Sequence, residues 1–173
     1  MDLALLVLRV VVGLLFVGHG TQKLFGWFGG HGLAGTSKFF DSLGIGSGRR
    51  NALLAGATEA GGGLLLALGL FTPFAAAGLI AVMATATWTV HRAKGLWSSD
   101  GGYEYNLVLA SIAFALAGAG PDAWSLDYAL SLDLAGTGWA LAALAAGIGG
   151  SALTIVGGRA LAHRNDRRHP ATA

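Results

Sequence analysis

The chain has 173 residues, 54% of them hydrophobic and 12% charged, with 29 glycines and a formal net charge of +2; its mean hydropathy is +0.61. That balance belongs to a membrane protein and leaves no stretch for a separate soluble domain. The chain lacks cysteine, which excludes disulfides, thiolate metal centres, iron-sulfur clusters and thiol redox chemistry of its own.

A first helix is expected at about Leu3 to Leu24. It has no basic segment before its apolar run, carries Arg9 inside it and meets no cleavage-like sequence, so it reads as a mature transmembrane span rather than a secretory signal. Arg9, Gly13, Phe16, Gly20 and Lys23 recur along it at offsets of four, three, four and three, which confines them to one narrow helical face. His19 lies beside that stripe. The loop 26–50 is too long for a simple turn, and "LAGTSKFFDSLG" is apolar enough to form a short amphipathic helix lying at the membrane surface.

A second helix is expected at about Asn51 to Leu70, with Gly56, Glu59 and Gly63 on one face and Glu59 near its middle. A charge near mid-membrane costs at least ~3 kcal/mol and is seldom left facing lipid. Counted from opposite helix ends, Arg9 and Glu59 differ in depth by roughly 5 to 8 Å, so the sequence predicts an ion pair or hydrogen bond between them. "FTP" makes a tight hairpin into a third helix, about Pro73 to His91, with the proline in its first turn. A fourth helix, about Tyr103 to Ala119, is short and opens in the polar "GGYEYN". The fifth, about Gly138 to Ala162, is rich in alanine and glycine and reads as a close-packing span without chemistry of its own.

Five spans put the termini on opposite sides, and the basic residues agree. Lys23, Lys38, Arg49, Arg50, Arg92, Lys94, Arg159, Arg164, Arg167 and Arg168 all fall on one side, while "GPDAWSLDYALSLD" on the other holds three aspartates and no Lys or Arg. By the positive-inside rule the N-terminus is expected outside and the C-terminus in the cytoplasm of a plasma (inner) membrane protein. Trp27, Phe28, Trp97 and Tyr103 fall at the cytoplasmic level, where an aromatic belt is the simplest account of them.

His19, Lys23, His91 and Glu104 converge at the cytoplasmic ends of the bundle if the main helices pack together. Two imidazoles, an ammonium and a carboxylate among aromatic rings suit four roles: salt-bridged helix ends, a haem held by two histidines, a metal held by His19, His91 and Glu104, or a cavity for an amphipathic molecule such as a quinone. The Arg9 and Glu59 pair is either a structural clasp or the polar floor of such a cavity. "GWFGGHGLAG" lacks the strand and the Lys-Ser/Thr of a phosphate loop, and the basic tail is explained by anionic lipid rather than nucleic acid. His31, His163 and His169 read as surface residues.

The blocks "RVVVGLLFVGHGTQKLFGWFGG", "TEAGGGLLLALGLFTPFAAAGLIAVM" and "VHRAKGLWSSDGGYEYNLVLASIAFALAGAGPDAWSLD" resemble the DoxX family of small bacterial and archaeal membrane proteins over about residues 4 to 130. The resemblance implies an all-α membrane protein whose residues 1–133 form a four-transmembrane-helix bundle; residues 134–173, read as a fifth transmembrane helix and a basic cytoplasmic tail, lie beyond the family's usual core. Positions that match the family pattern are Arg9, Gly13, Phe16, His19, Gly20, Lys23, Glu59, Gly62, His91, Trp97, Gly102, Tyr103 and Glu104. Relatives resemble subunits of a quinol-oxidising terminal oxidase, of a thiosulfate:quinone oxidoreductase, and of an oxidant-defence assembly with a superoxide dismutase and a sulfurtransferase. The implied function is a membrane subunit of a redox system that binds a quinone or similar lipophilic molecule. Lys23, His19 and His91 would supply donors or protons, Trp97 and Tyr103 aromatic walls, and Glu59 with Arg9 the inner polar contact. Electrons would come from partner redox subunits or a reduced substrate, and a homo-oligomer is compatible with the chain. The alternatives are a non-catalytic scaffold that recruits cytoplasmic oxidant-defence or sulfur-metabolism enzymes, and a small-solute transporter.

Overall fold

The computed structural model describes residues 2–168, with side chains described as far as Leu161. The expectations for the side chains of His163, Arg164, Arg167 and Arg168, and for His169, lie outside that range. Helix α1 is Asp2–Phe25, α2 Gly32–Ser42, α3 Gly48–Leu68, α4 Thr72–Ala86, α5 Glu104–Ala119, α6 Leu126–Ala129 and α7 Thr137–Arg168. A π-turn, Thr87–His91, and a 3-10 turn, Arg92–Lys94, extend α4. Four segments are long and apolar enough to cross a membrane: Asp2–Phe25, Gly48–Leu68, Thr72–Lys94 and Thr137–Leu161. The fourth expected span, α5, is apolar but shorter at 16 residues, roughly 24 Å of helix. Leu14 and Val11 on α1 and Leu153 and Val156 on α7 stay exposed, an outward apolar surface that lipid covers.

Helices α1 and α3 pack most closely, through the two faces expected from the glycine spacing. A Cβ on Gly13 would sit 2.5 Å from the Gly63 carbonyl oxygen, and one on Gly20 2.6 Å from that of Gly56. Backbones this close gain dispersion contacts that larger residues would hold apart. Val12, Phe16, Leu66, Leu79, Met83, Leu109 and Leu116 fill the space between α1, α3, α4 and α5. A second apolar cluster, Ala76, Ile80, Ala113, Ala117 and Ala143, locks α7 onto α4 and α5. Gly158 of α7 abuts the Ile45 carbonyl, which joins the far end of α7 to the segment before α3.

The expected Arg9 to Glu59 contact does not form. The antiparallel register that sets Gly13 against Gly63 and Gly20 against Gly56 puts Glu59 level with the turn around His19. That level is about eight to ten residues, or roughly 12 to 15 Å, along α1 from Arg9, beyond the reach of one side chain. Arg9, 3% exposed, instead meets the loop after α5. Its Nε donates to Asp122 Oδ2 at 2.8 Å, its Nη2 to the Trp124 carbonyl at 2.6 Å and its Nη1 to the Ala67 carbonyl. Glu59 is met from the opposite end of α1 by Lys23, with Nζ 2.5 Å from Oε2.

At the Arg9 end, α3 stops at Gly69, whose φ of 62° lets Leu70 donate back to the Leu65 carbonyl at 2.9 Å in a left-handed cap. Phe71 then takes φ 49°, a conformation that costs a non-glycine residue about 1 kcal/mol or more. The wholly buried Asp127 holds it there. Its carboxylate accepts from Phe71 N at 2.7 Å, Thr72 N at 3.0 Å and Thr72 Oγ1 at 2.8 Å, capping α4 from a distant part of the chain. At the other end Asp41 of α2 accepts from Gly48 N at 2.7 Å and caps α3 in the same manner. The expected short helix in the first loop is α2.

Candidate functional site

A cavity of about 680 Å³ opens at the Lys23 end, lined by residues of α1, α2, α3, α4 with its π-turn, α5 and α7. Phe39, Phe40, Leu54, Val82 and Met83 give it apolar walls, and Thr58, Thr85 and Thr89 carry hydroxyls along it. Thr85 and Thr89 donate those hydroxyl protons back to the carbonyls of Ala81 and Thr85, at 2.8 and 2.7 Å, and Thr85 Oγ1 also lies 3.0 Å from Ser151 Oγ, from which it accepts. Helix α7, expected to carry no chemistry, contributes Gly150 and Thr154 to the wall, and the loop residue His31 also lines it.

His19, Lys23, Glu59 and His91 all line this cavity. Glu59, 2% exposed, lies at depth, and Lys23 reaches down to it from a position nearer the mouth. His19 Nδ1 is 3.2 Å from Gln22 Oε1 and its Nε2 3.2 Å from Tyr105 Oη, with the two rings edge to face. His91 is delivered by the π-turn, in which each backbone bond spans one residue more than in an α-helix and the ring is re-aimed accordingly. Its Nδ1 lies 2.7 Å from the Gly101 carbonyl.

Four expected participants lie elsewhere. Arg9 is at the opposite end of the bundle. Trp97, 62% exposed, sits in the loop after α4, and its carbonyl accepts from Gly102 N at 2.9 Å. Tyr103 and Glu104 close that loop, donating from their backbone N–H groups to the carbonyls of Gly95 at 3.2 Å and Leu96 at 2.8 Å; Glu104 Oε2 also accepts from Ser98 N at 2.9 Å. Glu104 is thereby occupied in shaping the loop. Among the described residues no three His, Asp or Glu side chains gather to hold a metal ion. Trp27 and Phe28 are exposed and stack edge to face, with Phe25 against Trp27.

Gln22, Tyr105, Asn51 and Asn106, none of them expected from the sequence, also line the cavity. Helical spacing carried a signal for two of them. Asn106 shares its face with the buried Leu109, Ala113 and Leu116, and Asn51 with Ala52, Gly56, Glu59 and Gly63. Asn51 Nδ2 donates to the Ile45 carbonyl at 2.8 Å, while Asn51 Oδ1 and Asn106 Nδ2 are buried without a partner.

The family model DoxX matches residues 4–92, which takes in His19, Lys23, Glu59 and His91. The chain is 32% identical over 118 residues to the "Putative oxidoreductase CatD" of Bacillus subtilis (strain 168), a match spanning 68% of this chain and 81% of that protein. No solved structure matches the chain.

Proposed function

The chain belongs to the DoxX family, and from that premise we propose that it is a multi-pass plasma-membrane subunit of a redox system that binds a quinone or a similar lipophilic molecule in its cavity. The observation that carries the reading is the cavity itself: about 680 Å³ of space with apolar walls and hydrogen-bonding side chains among its lining. The residues fit such a guest. Phe39, Phe40, Leu54 and Met83 offer it a dry bed, and Lys23 keeps N–H bonds beyond the one spent on Glu59. Bound there, a quinone would supply the two-electron chemistry that a cysteine-free chain lacks. Lys23 would orient one of its oxygens, and the partly exposed Lys23 and buried Glu59 would hold a proton near it. Electrons would be exchanged with a partner redox protein or a reduced substrate. The name of the Bacillus relative, an oxidoreductase, supports the redox side of this reading.

The test is purification in mild detergent followed by mass spectrometry of extracted lipids and a thermal shift with a short-chain benzoquinone. Co-purifying quinone and a rise of several degrees in the unfolding midpoint are expected. Absence of both overturns the proposal.

A non-catalytic scaffold is the second reading, favoured by the cationic end that Lys38, Arg49, Arg50, Arg92, Lys94 and Arg159 form beside the exposed face of α2. Under it, soluble enzymes co-purify in stoichiometric amounts and the cellular function survives His19→Ala and His91→Ala.

A further inference from the structure

The hydrogen-bond directions around the cavity narrow the ligand further. His91 Nδ1 faces a backbone carbonyl, which only accepts, so the ring proton sits on Nδ1 and the neutral imidazole keeps its lone pair on Nε2. That nitrogen has no hydrogen-bond partner among the described residues. His19 is spent by contrast. Gln22 Nε2 donates to the Phe28 carbonyl at 3.2 Å, which turns Gln22 Oε1 toward His19 Nδ1; His19 Nδ1–H donates there, and Nε2 accepts from the Tyr105 hydroxyl.

Asn51 repeats the pattern found at His91. Its Nδ2 is committed to the Ile45 carbonyl, so the amide orientation is set and Oδ1 is left as a bare acceptor in a side chain only 3% exposed. A buried polar atom without a partner costs about 1–3 kcal/mol, and a ligand that supplies the partner recovers it. The free donors, Asn106 Nδ2 and the remaining N–H bonds of Lys23, serve an oxygen of any kind. The free acceptors do discriminate. A quinone has no O–H to give them: it would strip water from His91 Nε2 without replacing it and leave Asn51 Oδ1 as unpaired as before. A diphenol has two.

Resting on the reading of the cavity as a quinone-class site, we infer that it holds the reduced, hydroxyl-bearing form of its ligand in preference to the oxidised form, with His91 Nε2 and Asn51 Oδ1 as the acceptors that make the choice. Gly101 is the positioning partner, since its carbonyl keeps the His91 proton on the nitrogen away from the ligand.

Three probes separate the possibilities by calorimetry under anaerobic conditions in detergent: a short-chain benzoquinone, the corresponding hydroquinone and the dimethyl ether of that hydroquinone. The hydroquinone is expected to bind about tenfold or more tightly than the other two, the ratio that one recovered hydrogen bond of about 1.4 kcal/mol produces. His91→Phe, which keeps a ring and loses the lone pair, and Asn51→Leu are each expected to shrink that ratio toward one. Equal binding of hydroquinone and its dimethyl ether by the unaltered protein overturns the inference and leaves the proposed function standing. So does a ratio that survives both substitutions in folded protein. If none of the probes binds, the proposed function and this inference fail together. Should either variant fail to elute as a folded species, the comparison of the three probes on the unaltered protein decides alone.

Discussion

Lys23 and Glu59 make an unequal pair: the carboxylate is 2% exposed, whereas the lysine side chain keeps 28% of its surface open. Removing the lysine strands the carboxylate at depth, so Lys23→Met is expected to cost about 3 kcal/mol. Glu59→Gln leaves an ammonium that can swing toward the mouth and is expected to cost about 1 kcal/mol. Unfolding midpoints in detergent check the asymmetry, and equal losses contradict it. Asp127 is a residue of another kind, a carboxylate satisfied wholly by backbone N–H groups and one hydroxyl. Asp127→Ala is expected to cost about 2 kcal/mol through the lost cap of α4, with Asp127→Asn recovering part of it. At this scale the sequence told which polar side chains turn inward but not whom they meet. Arg9, Lys23 and Glu59 were legible as buried groups because a 3.6-residue period puts them on glycine-lined faces. Their partners depend on helix register, and Asp122 comes from a loop 113 positions away; neither is a local property of the chain.

Helices were the most legible level, because apolar length and glycine spacing act within a single segment. The glycines of α1 also give the sharpest contrast between neighbours. A side chain at Gly20 would run into the backbone of Gly56 and Ala60, while nothing stands within 4 Å of a Cβ at Gly18. Gly20→Val is therefore expected to abolish a monodisperse, folded species in size-exclusion chromatography, and Gly18→Ala to elute and unfold like the parent. The π-turn at the end of α4 could not be anticipated, since "TWTVH" has no residue that forbids ordinary helix. Deleting Thr87 would restore α-helical spacing and rotate His91 by about 100°, so loss of the preference for hydroquinone with the helix content intact is the expected result. Helix α7 was legible as a span but not as a wall, because its small residues advertise close packing whether the space beside them is filled or hollow.

For the whole molecule, Lys23, Lys38, Arg49, Arg50, Arg92, Lys94 and Arg159 gather at the end that holds the cavity mouth, and Asp122, Asp127 and Asp133 belong to the other. The cysteine-free background makes the orientation easy to check with single thiols. In intact cells a membrane-impermeant maleimide is expected to label Ser131→Cys and to leave Ser98→Cys untouched until the membrane is opened; the reverse pattern would invert the assignment. The two ends also differ in what they allow. Arg9 stitches the loop after α5 across α1 and α3, Asp127 pins the α3 to α4 turn beneath that loop, and the cavity lining is drawn from the opposite half of the long helices. A molecule that enters therefore meets a closed floor toward the Arg9 end rather than a way through. Such a vessel suits a guest that is altered or sensed in place, and ill suits one to be carried across.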